Sequence, residues 1–333
     1  MSWWQRALGL DPQAIPPHVF ALDADRLRYG QFLRQGTLVR FRAYRSVALP
    51  NETFLVGPLG GPPRDSKGFA ERVAALVADA SLASGTRGGV KEASLVLPDG
   101  WLRVTFTEST DLPRAAEAAD EVLRWKLKRL VPFRVEELRV DATEVTPLPS
   151  QAEPRRLLLG FGSEALLSQV EEAFSAAGVR LGLITSTSLA LVAALAGGRG
   201  ESSGSTEGFH ALVAVEAGGY TLVFARGSEP VLHRYKAFAS ALPEDARAGM
   251  VERDLKLTRN FLDEHYGGAA LDRVVLSAPP EVEPLWLDLL AEGLSCPALA
   301  LDGRILPPLR AEETTAPWRD LAPMLGAARL EVA

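Results

Sequence analysis

Apolar residues in the first part of the chain come in short runs separated by polar breaks. Residues 18–50, HVFALDADRLRYGQFLRQGTLVRFRAYRSVALP, hold three such runs, broken at Asp23-Ala24-Asp25 and at Gln35-Gly36. This predicts three successive strands folded as a meander. A helix is predicted near 67–84, then a strand at 93–97, a turn at Pro98-Asp99-Gly100 and a strand at 101–107. The spacing of Ala119, Leu123, Leu127 and Leu130 predicts a helix over roughly 112–130 with one apolar seam, which Trp125 is expected to widen. A strand, helix and strand follow at 155–185: Leu166, Val170, Phe174 and Ala177 recur at helical spacing, Ser163 can cap the start and Gly178 can stop the end. A further helix is expected at 187–196.

Residues 197–208, GGRGESSGSTEG, lack apolar anchors and read as a flexible connector. Beyond them the pattern begins again. Residues 209–238 form a second meander, with turns at Glu216 to Gly219 and at Arg226-Gly227. A long amphipathic helix at about 245–265 then leads to the strand DRVVLSAPP. Two meanders, each with an acid at its first turn, suggest two related halves.

The 333 residues, 47% hydrophobic and 23% charged, suffice for two domains with substantial cores. A formal net charge of -6 and a pI of about 5.5 leave no broad positive field for a nucleic-acid backbone. No run is long and apolar enough for a membrane-spanning helix, and the start MSWWQRALGLDP is too short and polar for a secretory signal. The chain is expected to stay in the cytosol, with Trp3, Trp4, Leu8 and Leu10 packing locally at a frayed terminus. The single cysteine, Cys296, excludes an internal disulfide, and none of the four histidines stands at metal-ligand spacing to another His or Cys.

Two glycine-rich stretches resemble phosphate sites without completing them. Residues 57–68, GPLGGPPRDSKG, lack the closing Gly-Lys-Ser/Thr and read as a surface loop. Gly160, Gly162 and Ala165 fit a dinucleotide-binding turn, but the next strand, VRLGLITSTS, carries no acid for the ribose hydroxyls. Glycine there serves packing in a tight strand-to-helix turn.

Taken in order, several segments resemble the actin-like ATPase superfamily and, within it, the PilM family of type IV pilus assembly proteins. They are SLVLPDGWLRVTF, DEVLRWKLKRLVPFRVEELRVD, LLSQVEEAFSAAGVRLGLITSTSLALVAAL, VERDLKLTRNFLDEHYG and LAPMLGAARLE. The resemblance covers nearly the whole chain. It implies an α/β (α+β) fold of two lobes, each a mixed sheet flanked by helices. The expected division is a first lobe at 1–196 with an inserted αβ subdomain at about 67–150, the connector at 197–208, a second lobe at 209–317, and a closing helix at 318–333 that returns to the first lobe.

The resemblance also implies where a nucleotide would sit: each lobe offers an Asp-x-Gly-x-x-x-Ser/Thr hairpin whose amides hold phosphates while its acid positions hydrated magnesium. The second hairpin, VEAGGYT, keeps Gly218, Gly219 and Thr221, with Glu216 in place of the aspartate. The first, LDADRLRYG, has Asp23 but puts Asp25 in the glycine position. At about 4 Å and an effective dielectric near 20, that charge repels a phosphate by roughly 4 kcal/mol, about three decades of affinity before screening. Arg26 or Arg28 could offset it. The third element, normally paired glycines beside the adenosine, is Ala278-Pro279-Pro280 here.

The expected function is therefore a cytoplasmic scaffold under the inner membrane, with no catalytic or metal-ligating residues, and with absent or weak binding of ATP and magnesium. Its expected partner is the cytoplasmic tail of a PilN-like membrane protein, and the same reading allows for self-association. The alternatives are an active ATPase of pili or type II secretion, where the related GspL cytoplasmic domain acts, and a small-molecule kinase of the same superfamily. The C-terminus GAARLEVA lacks the amphipathic tail of FtsA-like proteins. In the joint RWKLKRLVPFRVEELRVD, Pro132 ends the helix by denying helical geometry to Val131. Trp125, Leu130 and Phe133 are then expected in the core and Arg124, Lys126, Lys128 and Arg129 in solvent. The second reading makes Arg124, Trp125, Lys128 and Phe133 the border of a partner-peptide groove.

Overall fold

The computed structural model describes residues 17–35, 38–55, 57–109, 113, 116–131, 134–146, 155–196, 209–227, 229–238, 244–267, 271–306, 309–311 and 316–330. The expectations for Trp3, Trp4, Leu8, Leu10, the 197–208 connector, Pro132 and Phe133 lie outside these residues.

The first meander is β1 (His18–Leu22), β2 (Arg26–Gln35) and β3 (Leu38–Ala48), paired antiparallel in sequence order. β4 (Glu92–Leu97) joins β1 in parallel, β8 (Arg180–Ser186) joins β4 in parallel, and β14 (Leu309–Ala311) joins β3 in parallel. The result is a six-stranded sheet of order β14-β3-β2-β1-β4-β8. One face is covered by α1 (Ser66–Ser84) and α3 (Glu164–Ala176), through Phe69, Val73, Leu76, Val170 and Phe174 against Phe20, Leu27 and Leu95. Asp65 caps α1 by accepting the Gly68 N–H, and Gly85 ends it at φ 60, a left-handed conformation that favours glycine.

The second meander, β9 (Phe209–Glu216), β10 (Gly219–Arg226) and β11 (Glu229–Ala237), lies in a five-stranded sheet of order β11-β10-β9-β12-β13. β12 (Leu271–Ser277) and β13 (Ala298–Ala300) extend it in parallel. α5 (Glu244–Tyr266) and α6 (Glu283–Leu294) close its outer face, with Trp286 packed edge-on to Tyr220. Its inner face meets α4 (Thr187–Leu195), whose apolar residues point in every direction, as a helix buried on all sides requires. Leu191, Val192 and Leu195 pack on the second sheet, while Ala190 packs with α7 (Trp318–Ala327) on the first.

A third sheet, β5-β7-β6, stands apart: β5 (Leu102–Ser109) and β6 (Leu138–Val145) each pair antiparallel with the central β7 (Arg155–Ser163). α2 (Ala116–Lys128) covers one face with Leu123 and Leu127 over Leu157, Leu159 and Phe161. Arg139 on β6 ties this unit to α3 at 2.6 Å from Glu164 and 2.8 Å from Glu171, and the guanidinium holds the Glu164 carboxyl down to about 2. The Gly160/Gly162 stretch is thus an antiparallel strand in a small sheet. A Cβ at Gly162 would come within 3.0 Å of the Trp101 carbonyl oxygen. Of residues 57–68, Leu59, Gly61 and Pro63 are buried and Arg64 to Lys67 exposed; a Cβ at Gly60, at φ 69, would come within 2.8 Å of the Trp101 ring.

Two expected boundaries shift. Ser66–Ser84 packs on the first sheet rather than in the insert, which runs instead from β5 to β7. Leu309–Ala311, expected in the second lobe, is an edge strand of the first sheet. The close approach of α7 to α4 depends on Gly326, since a Cβ there would lie 1.6 Å from the Ala190 carbonyl oxygen. Gly326→Ala is expected to destabilise the chain by about 3 kcal/mol through this overpacking, read as a lowered urea midpoint with unchanged slope.

Candidate functional site

The turns of both meanders face the gap between the lobes, and the carboxyls of Asp23 and Glu216 are close enough to repel. In the first turn, Asp23 is paired with Arg28, whose other nitrogen donates to Asp320 of α7 at 2.5 Å. Tyr44 donates to the same Asp320 carboxylate at 3.1 Å, and Arg26 lies 3.7 Å from it. Arg28 therefore answers Asp23, while Asp25 has Arg26 at 3.8 Å. The Asp25 side chain is 68% exposed, so solvent and Arg26 screen it and the repulsion inferred from sequence is an upper bound.

The second turn is engaged by the first lobe. Asp99, in the β4–β5 turn, is fully buried. Its Oδ1 accepts from the Ser188 hydroxyl at 2.6 Å and the Ser188 N–H at 3.2 Å, and its Oδ2 accepts from the Thr221 hydroxyl at 2.9 Å. Ser188 lies in the first turn of α4, where amides point outward and favour an anion. Since the Ser188 proton goes to Asp99, the 2.8 Å contact between Ser188 Oγ and His233 Nε2 is donated by the imidazole. Burial lowers the His233 pKa, keeping the ring neutral. The Asp99 N–H in turn donates to Glu216 Oε1 at 3.3 Å. Burial first, then repulsion by Asp99 and Asp23, raises the Glu216 pKa well above the ordinary carboxyl value.

Gly219 is required by protein contacts, while Gly218 is held through its carbonyl. The Tyr235 hydroxyl donates to the Gly218 carbonyl at 3.3 Å, and a Cβ at Gly219 would fall 2.3 Å from the Lys236 carbonyl oxygen and 2.8 Å from that hydroxyl. In the third element, Pro279 accepts the Val282 and Glu283 N–H groups and opens α6. A pocket of about 120 Å³ between Glu216, Phe238, Arg247, Pro279 and Trp286 lies beside it, well below the ~300–1,000 Å³ usual for small-molecule sites.

Asp23, Glu216 and Thr221 are thus brought to one cleft, as the sequence suggested, whereas Asp99, Ser188 and His233 were missed. Pro98-Asp99-Gly100 has the composition of an ordinary surface turn. Its one distinguishing signal is the apolar Leu95-Val96-Leu97 run before it.

At the α2 joint the structure corrects two expectations. Trp125 is 60% exposed and Leu130 50% exposed, so neither belongs to the core. Position 125 lies about 200° around the helix from Leu123, away from the Leu123/Leu127 seam. Arg124 is committed inward, donating to Asp120 at 2.7 Å and to the carbonyls of Val135 at 2.6 Å and Leu138 at 2.7 Å. Trp125, Lys128, Arg129 and Leu130 remain exposed, with the Arg129 guanidinium 5.7 Å from the Trp125 ring.

Among solved structures, a chain of the PilM-PilN type IV pilus biogenesis complex superposes with TM-score 0.68 at 15% identity, over 96% of this chain and 97% of that one. The chain has the PilM-type actin-like ATPase fold. Lower likeness extends to the cytoplasmic domain of EpsL, an inner-membrane component of the Vibrio cholerae type II secretion system (TM-score 0.48, 10% identity, 95% of each chain). A Bacteroides thetaiotaomicron protein with an actin-like ATPase fold scores 0.43 at 10% identity, over 85% of this chain and 90% of that one. No protein-family model and no curated protein sequence matches the chain.

The raised Glu216 pKa contributes stability that is complete below the ordinary carboxyl value and is lost as pH rises toward the folded value. Glu216→Gln, neutral at every pH, is therefore expected to gain thermal stability over the parent progressively as pH rises above the ordinary carboxyl value. Parallel melting curves check this; a pH-independent difference would contradict a raised Glu216 pKa.

Proposed function

We propose that this protein is a PilM-like scaffold of a type IV pilus or related secretion assembly, working at the cytoplasmic face of the inner membrane without nucleotide. The carrying observation is the end-to-end likeness to a chain of the PilM-PilN complex, over 96% of this chain. By that likeness the proposed partner is the short cytoplasmic tail of a PilN-like membrane protein. Among the described residues no helix is long and apolar enough to cross a membrane, so a membrane-anchored partner would supply the attachment.

The cleft residues support the nucleotide-free part of the reading. Magnesium ATP would need Asp23, Thr221 and the hairpin amides. Asp23 already carries Arg28 as its counter-ion, Thr221 donates to Asp99, and Gly218 and Gly219 lie under Tyr235. A ligand would have to displace these contacts and leave Asp99 buried with fewer donors. The residues present do not fit the group. In this reading Glu216, Gly218, Gly219 and Thr221 are structural remnants, as are Asp23 and Asp25.

For the tail, the exposed Trp125 and Arg129, residue types enriched in binding hot spots, make a rim with Lys128 and Leu130. Arg124 supports this rim from beneath and does not belong to it. Two measurements test the reading. Magnesium ATP at 1 mM should leave the melting temperature unchanged, whereas even a Kd of 10 μM would add about 2.7 kcal/mol. A fluorescent peptide of the neighbouring membrane protein's cytoplasmic residues should bind, and Trp125→Ala with Arg129→Ala should weaken it about tenfold. Undiminished binding removes the rim from the partner site, and absence of any binding by the parent removes the scaffold reading.

A further inference from the structure

β11 is the outer strand of the second sheet, and an outer strand presents unpaired backbone groups to its surroundings. Here that flank is engaged by the first lobe and its inserted sheet at every second residue. At Glu229 the carboxylate accepts the Thr146 N–H at 2.6 Å and the Thr146 hydroxyl at 2.8 Å. At Val231 the carbonyl accepts from Arg156 Nη2 at 2.6 Å, and the buried Arg156 guanidinium lies 3.9 Å over the Phe106 ring. At His233 the imidazole joins Ser188 at 2.8 Å and through it the buried Asp99. At Tyr235 the ring carries the Arg103 guanidinium at 4.5 Å, and its hydroxyl lies where a Cβ at Gly100 would be only 3.0 Å away.

These groups come from β5, β7, the end of β6, the β4–β5 turn and α4, so the inserted sheet is a second point of attachment between the lobes. Thr146, Arg156 and Arg103 belong to it or border it, and Arg139 fixes the same sheet to α3 of the first lobe. A hinge that opened the cleft would have to part all four contacts together, because they lie along one strand. It would also uncover Asp99, which is fully buried between the lobes.

We propose that this seam along Glu229 to Tyr235 holds the lobes in one relative orientation, so that opening and closing around a ligand is absent from the protein's working cycle. The inserted sheet acts as a brace, and the chain serves as a rigid platform. This inference stands on intramolecular contacts and is independent of which partner binds.

Spin labels on Lys67→Cys and Asp272→Cys, in a full-length Cys296→Ser background, report the distance between the first and second lobes. The expected result is a single narrow distance distribution, unchanged by millimolar magnesium ATP. Two distances, or a distribution that moves with magnesium ATP, overturns the proposal. Arg156→Met should broaden the distribution roughly twofold. Because altering a buried arginine can impair folding, Thr146→Ala with Glu229→Ala tests the exposed end of the seam. It should speed amide exchange in residues 229–237 about tenfold while leaving the α1 core protected. Unchanged exchange in a folded variant also overturns the proposal.

Discussion

A carboxylate buried between two lobes sets the terms for everything around it. Asp99 has no access to solvent, and a polar group so placed must find hydrogen-bond partners or it destabilises the fold by about 1–3 kcal/mol. Three donations answer it, two from Ser188 in the first turn of α4 and one from Thr221 on β10. Each belongs to a different part of the architecture than Asp99 itself. Satisfying one side chain therefore fixes the end of β4, the start of α4 and the second meander relative to one another. His233 extends the same chain of hydrogen bonds to β11, and Glu216 receives the Asp99 amide. The cleft is filled by the protein's own polar groups.

This filling separates fold from chemistry. The actin-like arrangement of two meanders about a central gap persists, with β1–β2 and β9–β10 turning toward each other. The turns themselves are tied into the rest of the chain. Arg28 links Asp23 to Asp320 on α7, so the first hairpin is tied to the closing helix. Tyr235 sits on Gly218 and Gly219, so the second hairpin is tied to β11. In each case the hairpin is held by a contact within the chain. A body built this way suits holding neighbours in place, consistent with the scaffold reading and with the braced inserted sheet.

Much of this was legible in the sequence because it rests on periodicity. The two meanders, the capped helix after Ser163 and the long α5 follow from runs of apolar residues and their breakers. The parallel additions were less legible: β14 is three residues long and finds β3 from some 270 positions away, which no local pattern encodes. Trp125 was misplaced because hydrophobicity was weighed above angle; two residues beyond Leu123 the helix has turned its opposite side outward. Arg124, read as a solvated cation, has the length to reach two carbonyls beyond the helix end. Asp99 was hidden most thoroughly, since burial of a turn aspartate is decided by the other lobe, and the strand preceding it was the only local hint.

The account's central claim is that the interlobe cleft is occupied by the protein's own side chains. It is tested most directly by a high-resolution crystal structure of the full chain grown with 10 mM magnesium and a non-hydrolysable ATP analogue. The account predicts a cleft without nucleotide density, Thr221 and Ser188 still donating to Asp99, and Arg28 still bridging Asp23 and Asp320. An ordered triphosphate between Asp23 and Thr221, with Asp99 displaced from Ser188, would contradict it.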